Sequence, residues 1–448
     1  MNGRRLLFLS LVPWYLVAGS PAFAQEPPPG QPPAEVEVIL QDADVRTRIR
    51  LALPKVAQAA GMSAQGRAAA AELERALVDD LEYSGLFDVQ DRQILSVLEL
   101  TGDRAQDFPM YRSLGNQVIL LGEISEQSGR LTLDARVLDL RNFGSICRPK
   151  RYRGTLAQAR RVAHTYADEV VKCFGGQGVA LTSIAFASNR TGHKEIYIMD
   201  YDGHDQRPLS GHQSISMAPA WSPPGDGLAY VSYFNGQPGL YWVELSTGEK
   251  RPIVEDAFHN FTPTFSPDGQ WVAFTRSVNG NAEIFKMNRR GGSPVRLTHN
   301  ERIDANPAWS PSGREIAFTS DRSGNAQIYI MDADGGNVRR VTREGLNNDG
   351  ASWHPEGNRI TYAHRAQAGH RYDIAVTDLV TEETRVLTSG PGSNEAPAFS
   401  PDGQRIVFES SRDGTSQIWV IDADGGNLRR LTSEGENFAP AWSGFPGS

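Results

Sequence analysis

The sequence predicts an α/β N-terminal domain followed by an all-β six-bladed β-propeller closed by the C-terminal strand. Three observations predict it. A Pro-x-Trp/Phe-Ser block, degenerate at Ala351-Ser352-Trp353, places aromatics at Trp221, Phe265, Trp309, Trp353, Phe399 and Trp442, in steps of 44, 44, 44, 46 and 43 residues. A second block, Ile328-Tyr329-Ile330-Met331-Asp332 followed by Gly335-Gly336, has counterparts beginning at Ile196, Leu240, Ile284, Ile374 and Ile418. Upstream of residue 178 the repeat is absent, and helical and strand periodicities mix.

Residues 1–24 read as a signal peptide: Arg4 and Arg5, an apolar run from Leu6 to Val17, and small residues at Ala22 and Ala24. The run is short for the roughly 30 Å of a bilayer core, which disfavours a retained anchor. The mature chain is therefore expected to be exported and to carry no transmembrane segment. Its removal takes the net charge from −8 to −10. An acidic chain of this kind lacks the basic surface of a sequence-independent nucleic-acid binder. Residues 25–34 form a Pro-rich spacer, Gln25 to Pro33 reading as extended chain.

Residues 35–177 are assigned to the small α/β domain. Val36, Val38 and Leu40 alternate with polar neighbours as a strand does. Leu73, Ala76, Leu77 and Leu81 give a helix over 67–83, stopped at Ser84-Gly85. Val118 to Ile124 and Leu131 to Leu140 form a hairpin around Ser128-Gly129. Thr155 caps a second helix that ends at Gly175-Gly176. In an oxidising compartment Cys147 and Cys173 either pair or remain as two buried thiols.

Residues 178–448 are assigned to the propeller. About 44 residues per four short strands is the period of a blade. A helical repeat of that length would not tolerate the Gly and Pro that punctuate every unit. Second strands begin at Ile184, Leu228, Val272, Ile316, Ile360 and Ile406. The first of these has no Pro-x-Trp-Ser block before it, and Pro440-Ala441-Trp442-Ser443 has almost nothing after it. The last block is therefore expected to supply the innermost strand of the blade that begins at Ile184. The repeated aromatics are expected in the core between blades.

Catalytic and metal signatures are sparse. The chain has no Gly-x-Ser-x-Gly, no His-Glu-x-x-His and no phosphate-cradling Gly-x-x-x-x-Gly-Lys. The Asp-x-Asp-Gly runs at 200–203, 332–335 and 422–425 place Gly fourth, whereas an EF-hand loop needs it sixth, so they read as turns. No catalytic residue, cofactor or metal site is assigned. The segments before the innermost strands, Met217-Ala218, Asn260 to Thr262, Asp304 to Asn306, Asn348 to Gly350, Asn394 to Ala396 and Phe438-Ala439, are expected as loops ringing the channel mouth, suited to capturing a protruding partner.

With the blocks Ile328 to Asn337 and Pro397 to Gly403, Ser84-Gly85-Leu86-Phe87, and the order signal peptide, α/β domain, six blades, the chain resembles the TolB family of the Tol-Pal system. The resemblance implies a monomeric, non-enzymatic periplasmic adaptor that supports outer-membrane integrity and cell division. It implies a propeller mouth that binds the peptidoglycan-associated lipoprotein Pal through His259, Asn260, Thr262, Ala305 and Asn306. It also implies an N-terminal strand, Glu35, Val36, Glu37, Val38, Ile39 and Leu40, that binds TolA. The alternatives are a periplasmic propeller enzyme of lyase or glycosidase type, or a TolB-like propeller with another protein partner.

Overall fold

The computed structural model describes residues 48–96, 98 and 103–446. The signal peptide over 1–24, the spacer over 25–34 and the segment Glu35 to Leu40 lie outside the described residues.

The α/β domain is a mixed sheet with helices on both faces. Its strands are β1 (Ile49–Ala52), β2 (Ala57–Gln58), β3 (Phe87–Val89), β4 (Val118–Gln127), β5 (Arg130–Asp139) and β6 (Lys150–Thr155). The order is β3-β1-β4-β5-β6, with β2 also on β4. β1 runs parallel to β3 and β4, and β4, β5 and β6 are antiparallel. Helix α1 (Ala64–Tyr83) starts where Ser63 Oγ accepts the Gly66 N–H at 2.9 Å. It stops at Gly85, whose φ of 70° is open to glycine at little cost. Leu73, Leu77 and Leu81 on its buried face pack with Val162, Tyr166 and Val170 of α4 (Ala159–Cys173) over Leu120, Leu131 and Leu133 of the sheet. Burying each such leucine stabilises the domain by about 2 kcal/mol. The short helices α2 (Arg92–Ser96) and α3 (Arg104–Ser113) cover the other face through Leu95, Phe108 and Tyr111.

Two details differ from the expectation or decide between its alternatives. Thr155 does not open α4 directly. A 3-10 turn, Leu156–Gln158, intervenes, and Gln158 Oε1 accepts the Thr155 N–H at 3.0 Å. Cys147 and Cys173 are bridged, with Cα atoms 5.9 Å apart, so the segment entering β6 is tied to the end of α4.

The propeller has six four-stranded antiparallel sheets. Blades one to five run from the innermost strands Ser216–Trp221, His259–Phe265, Asp304–Trp309, Asn347–Trp353 and Asn394–Phe399. The sixth, closing blade takes its innermost strand from Asn437–Trp442 and its other strands from β7 (Ser183–Ser188), β8 (Glu195–Asp200) and β9 (Arg207–Pro208). Trp442 pairs with Ile184 and Phe438 with Ala187. Ser443 extends the join: its N–H donates to the Ser183 carbonyl at 2.9 Å and its Oγ accepts the Ser183 N–H at 3.0 Å.

Second and third strands are buried along nearly their whole length, because both faces of every blade meet a neighbour. One apolar cluster fills each gap. Trp242 and Phe265 join blades one and two, Phe318 and Met287 join blades two and three, and Tyr362 and Ile330 join blades three and four. Phe408 and Ile374 join blades four and five. Val420 and Trp442 join blade five to the closing blade, and Ile196 and Tyr230 join the closing blade to blade one. Six clusters between six blades make a closed circle. The repeated aromatics lie in these gaps as expected, Trp221 being only half-buried.

Within three blades an arginine two residues past the second strand pins the innermost one. Arg190, Arg322 and Arg412 each donate through Nε to Ser188, Ser320 and Ser410 at 2.9 Å. Through Nη2 they reach Asn437, Asp304 and Asn394 at 3.0, 2.8 and 2.8 Å. Each guanidinium also lies over a ring of the same blade: Tyr197, Tyr329 and Trp419.

Candidate functional site: the propeller mouth

The segments expected as mouth loops are not loops. They are the first halves of the innermost strands, already paired with the second strands. Each strand then breaks register at a bulge, and each bulge holds a left-handed residue: Ala218, Thr262, Asn306, Gly350, Ala396 and Ala439, with φ of 50°, 44°, 52°, 66°, 50° and 45°. Five of the six precede proline. A proline lacks the N–H that a regular ladder would use, so the bulge is where the strand can hold one. A non-glycine residue at such φ costs on the order of 1 kcal/mol, and here the cost falls repeatedly around one axis.

Three of the bulges are held across the gaps between blades. The Asn306 N–H donates to Thr275 Oγ1 of the preceding blade at 3.0 Å. The Gly350 N–H donates to Thr319 Oγ1 at 3.2 Å, and the Ala439 N–H to Glu409 Oε2 at 2.8 Å. Asp349 Oδ1 accepts from Thr319 Oγ1 at 2.7 Å and from Asn306 Nδ2 at 2.8 Å. The ring of bulges lines an axial cavity of about 360 Å³, to which Asp349, Tyr372, Glu395 and Glu409 contribute polar groups. Burial pushes the Glu409 carboxyl up, partly offset by the Ala439 N–H.

The sequence-assigned residues separate into three places. Thr262 and Asn306 come together in the cavity wall. His259 is exposed at the rim, its ring 6.4 Å from that of Phe261, and Ala305 is half-buried opposite Thr319. Asn260 is fully buried inside blade two. Its Oδ1 accepts from Arg276 Nε at 2.8 Å, and its Nδ2 donates to the Phe258 carbonyl at 3.0 Å. Asn260 therefore supports the rim from within.

Four rim residues escape a reading of motifs. Ile215, Phe234, Phe258 and Ile303 are exposed by 42, 57, 41 and 51 %. Ile215 and Ile303 immediately precede the innermost strands of blades one and three, Phe258 precedes that of blade two, and Phe234 follows the second strand of blade one. The positions matching Ile215 and Ile303 in the remaining blades are Asn347, Ser393 and Glu436, and the Phe234 position is Arg190 or Arg412 in two of them. Blades one, two and three thus each expose at least one large apolar side chain at the rim, beside His259 at the Ile303 position of blade two and Arg322 at the Phe234 position of blade three. Large apolar side chains in turn segments otherwise rich in Ser, Asn and Gly were the available signal.

The α/β domain sits at the other end of the propeller, on the turns that follow the first and third strands. The Arg405 guanidinium lies 3.5 Å above the Tyr83 ring and donates to the Tyr83 carbonyl. Burial pushes the Tyr83 hydroxyl up to about 12. A cleft of about 680 Å³ runs along this joint, lined by Arg48, Arg359, Arg385 and Arg429 together with Asp79, Glu82 and Asp424. Among the described residues no helix is long and apolar enough to cross a membrane, and no cluster of three metal-ligating side chains occurs.

The architecture defines a class: an α/β domain fused to one end of a six-bladed propeller whose far end opens as a bulge-lined mouth. The TolB beta propeller domain matches residues 171–445 and the TolB amino-terminal domain matches residues 39–144. The chain belongs to the TolB family. It is 34% identical over 157 residues to the Protein TolB homolog of Chlorobium chlorochromatii (strain CaD3), covering 35% of this chain and 36% of that one. It is 38% identical over 165 residues to the Tol-Pal system protein TolB of Syntrophotalea carbinolica (strain DSM 2380 / NBRC 103641 / GraBd1), covering 35% and 37%. These alignments span about a third of the length of either relative. The crystal structure of TolB from Acinetobacter baumannii superposes with a TM-score of 0.75 at 25% identity, over 88% of this chain and 96% of that one.

Proposed function

We propose that this chain is a non-enzymatic periplasmic adaptor of the Tol-Pal system, which receives the lipoprotein Pal at the propeller mouth and TolA through the segment Glu35 to Leu40. In this reading it supports outer-membrane integrity and cell division as a go-between rather than a catalyst. The observation that carries the Pal half is the mouth: an apolar arc at Ile215, Phe234, Phe258 and Ile303 beside a rigid polar cavity. An apolar anchor surrounded by fixed hydrogen-bonding groups is the anatomy of a protein-docking surface. Thr262 is held by Thr275 of its own blade and Asn306 by Thr275 and Asp349 of the two adjacent blades, so a partner meets groups that are ordered before it arrives, which lowers the entropy lost on docking.

Titration calorimetry of the purified chain with purified Pal tests this. Saturable one-to-one binding is expected, weakened at least about tenfold by Ile303→Glu and by His259→Ala. No binding at high micromolar Pal would overturn the reading. The enzymatic alternative has one observation behind it: Glu395 and Glu409 face each other in register across blade five, the residue type a glycosidase pairs. Turnover of a cell-wall glycan that Glu409→Gln abolishes would favour it.

A further inference from the structure

We propose that the joint between the α/β domain and the propeller is a proton-dependent latch, in which doubly protonated His164 ties Asp80 of α1 to Asp200 of the closing blade and which loosens when the imidazole gives up its proton. His164 lies on α4 and is 3% exposed. Its Nδ1 is 2.8 Å from Asp80 Oδ2. The other oxygen of Asp80 accepts from the Tyr201 hydroxyl at 2.6 Å, and Tyr201 belongs to the turn leaving β8. One carboxylate thus takes a bond from each side of the joint.

The second imidazole nitrogen decides the protonation state. His164 Nε2 is buried without a hydrogen-bond partner, and the nearest charged group is Asp200 Oδ2 at 3.9 Å. A neutral ring donating through Nδ1 to Asp80 would aim the bare Nε2 lone pair at that carboxylate. A protonated ring places an N–H there instead.

The surrounding charge points the same way. Asp80 faces the ring from α1, with Asp79 nearby, Asp200 faces it from the end of β8 and Asp202 from the turn that follows. Arg160 and Asp168 lie on its own helix, and Arg160 is shared between Glu72 and Asp202. His204 pairs with Asp202 at 3.2 Å from an exposed position, while Arg405 and Arg429 are engaged one turn away on the Tyr83 ring. With His164 neutral, Asp80, Asp200 and Asp202 would share one buried guanidinium. Burial pulls the His164 pKa down, but the Asp80 hydrogen bond and the charges of Asp80, Asp202 and Asp200 outweigh it and hold it above the ordinary histidine value.

A histidine raised in the folded state stabilises fully below its unfolded pKa, near 6.5, and that contribution is lost as the pH rises through the raised folded value. Docking of the two domains should therefore slacken in alkaline medium. Heteronuclear NMR of the full chain, following the His164 ring through a pH titration, tests the charge. Hydrogen exchange at the turn 200–205, away from the Asp168 clamp and corrected for intrinsic rate, tests the joint. Between about pH 6 and about pH 9 protection should fall about tenfold in the wild type and show no such dependence in His164→Gln. Asp200→Asn should move the His164 midpoint down, and this decides the matter if His164→Gln does not fold. A midpoint at or below the ordinary histidine value, a pH dependence that survives in His164→Gln, or an unmoved midpoint in Asp200→Asn would overturn the latch.

Discussion

The indole N–H of Trp221 donates to the backbone carbonyl of Ala441 at 3.0 Å. The first repeat of the propeller thus holds the last strand of the chain, 220 residues away. The same bond recurs between Trp353 and Ala308, also at 3.0 Å, where the partners belong to consecutive repeats. Ring closure therefore uses the contact that joins ordinary neighbours.

The closing strand should consequently matter to the whole ring. Trp442 is buried, and its Nε1 donates to Thr182 Oγ1 at 2.9 Å. Trp442→Ala removes that packing and the indole bond to Thr182 Oγ1, whose hydroxyl keeps its own bond to the Val179 carbonyl, so a loss of about 3–5 kcal/mol is expected in urea denaturation. Truncation after Ser433 should cost more, and Trp221→Phe about 1 kcal/mol. An unchanged denaturation midpoint in the truncated protein would show that the ring does not need its last strand.

His259 and Asn260 are adjacent and should behave in opposite ways. Asn260→Ala leaves Arg276 Nε without its acceptor inside blade two, and a destabilisation of about 2 kcal/mol is expected. His259→Ala removes an exposed ring and should leave stability within about 0.5 kcal/mol while weakening Pal binding. Equal effects of the two substitutions on stability would contradict the separation of rim from support.

The linker between the domains is clamped by Asp168, whose carboxylate accepts the Ala180 and Leu181 N–H groups at 2.9 and 3.1 Å. Burial pushes this carboxyl up to about 6 in spite of those bonds. Because the folded value lies above the ordinary one, the proton's stabilisation is complete below about pH 4 and is lost as the pH rises through about 6. Relative to Asp168→Asn, the wild type should lose on the order of 2 kcal/mol across that window. Parallel stability curves for the two proteins would refute this.

Gly178 faces the same clamp. A Cβ there would lie 2.6 Å from the Asp168 Cα, so the linker or α4 must shift. Gly178→Ala is expected to cost about 2 kcal/mol and to raise proteolysis between residues 175 and 182. A variant as protease-resistant as the wild type would argue against close packing.

The bridge between Cys147 and Cys173 closes a loop with a sequence separation of 26. The Cys147→Ser, Cys173→Ser double variant should lose about 3 kcal/mol in the α/β domain and leave Pal binding unchanged. A matching loss of binding would mean that the α/β domain shapes the mouth.

The ring was legible because it is written six times. Each aromatic from Trp221 to Trp442 marks one innermost strand, and counting them against the second strands exposed the missing partner of Ile184. The left-handed bulges were not legible, since Ala218, Thr262, Ala396 and Ala439 are residue types that seldom adopt positive φ. Their positive φ comes with the register shift in each innermost strand, which no residue type announces. The arginine pins carried a readable Ser-x-Arg signal at Ser188, Ser320 and Ser410 that a search for catalytic motifs passes over. The interdomain joint was hidden for another reason: Asp80, His164 and Tyr201 are 84 and 121 residues apart, and nothing local links them. The apolar rim was hidden because single exposed apolar residues are ordinary on any surface, and only the circle brings these onto adjacent blades.

The most direct test of the mouth as docking face is hydrogen exchange of the full chain with and without saturating Pal. The account predicts new protection at residues 213–216, 234–236, 256–262 and 300–306, with none arising by direct contact at 401–405 or 423–429. Protection confined to the latter turns, or absent from the apolar arc, would contradict it.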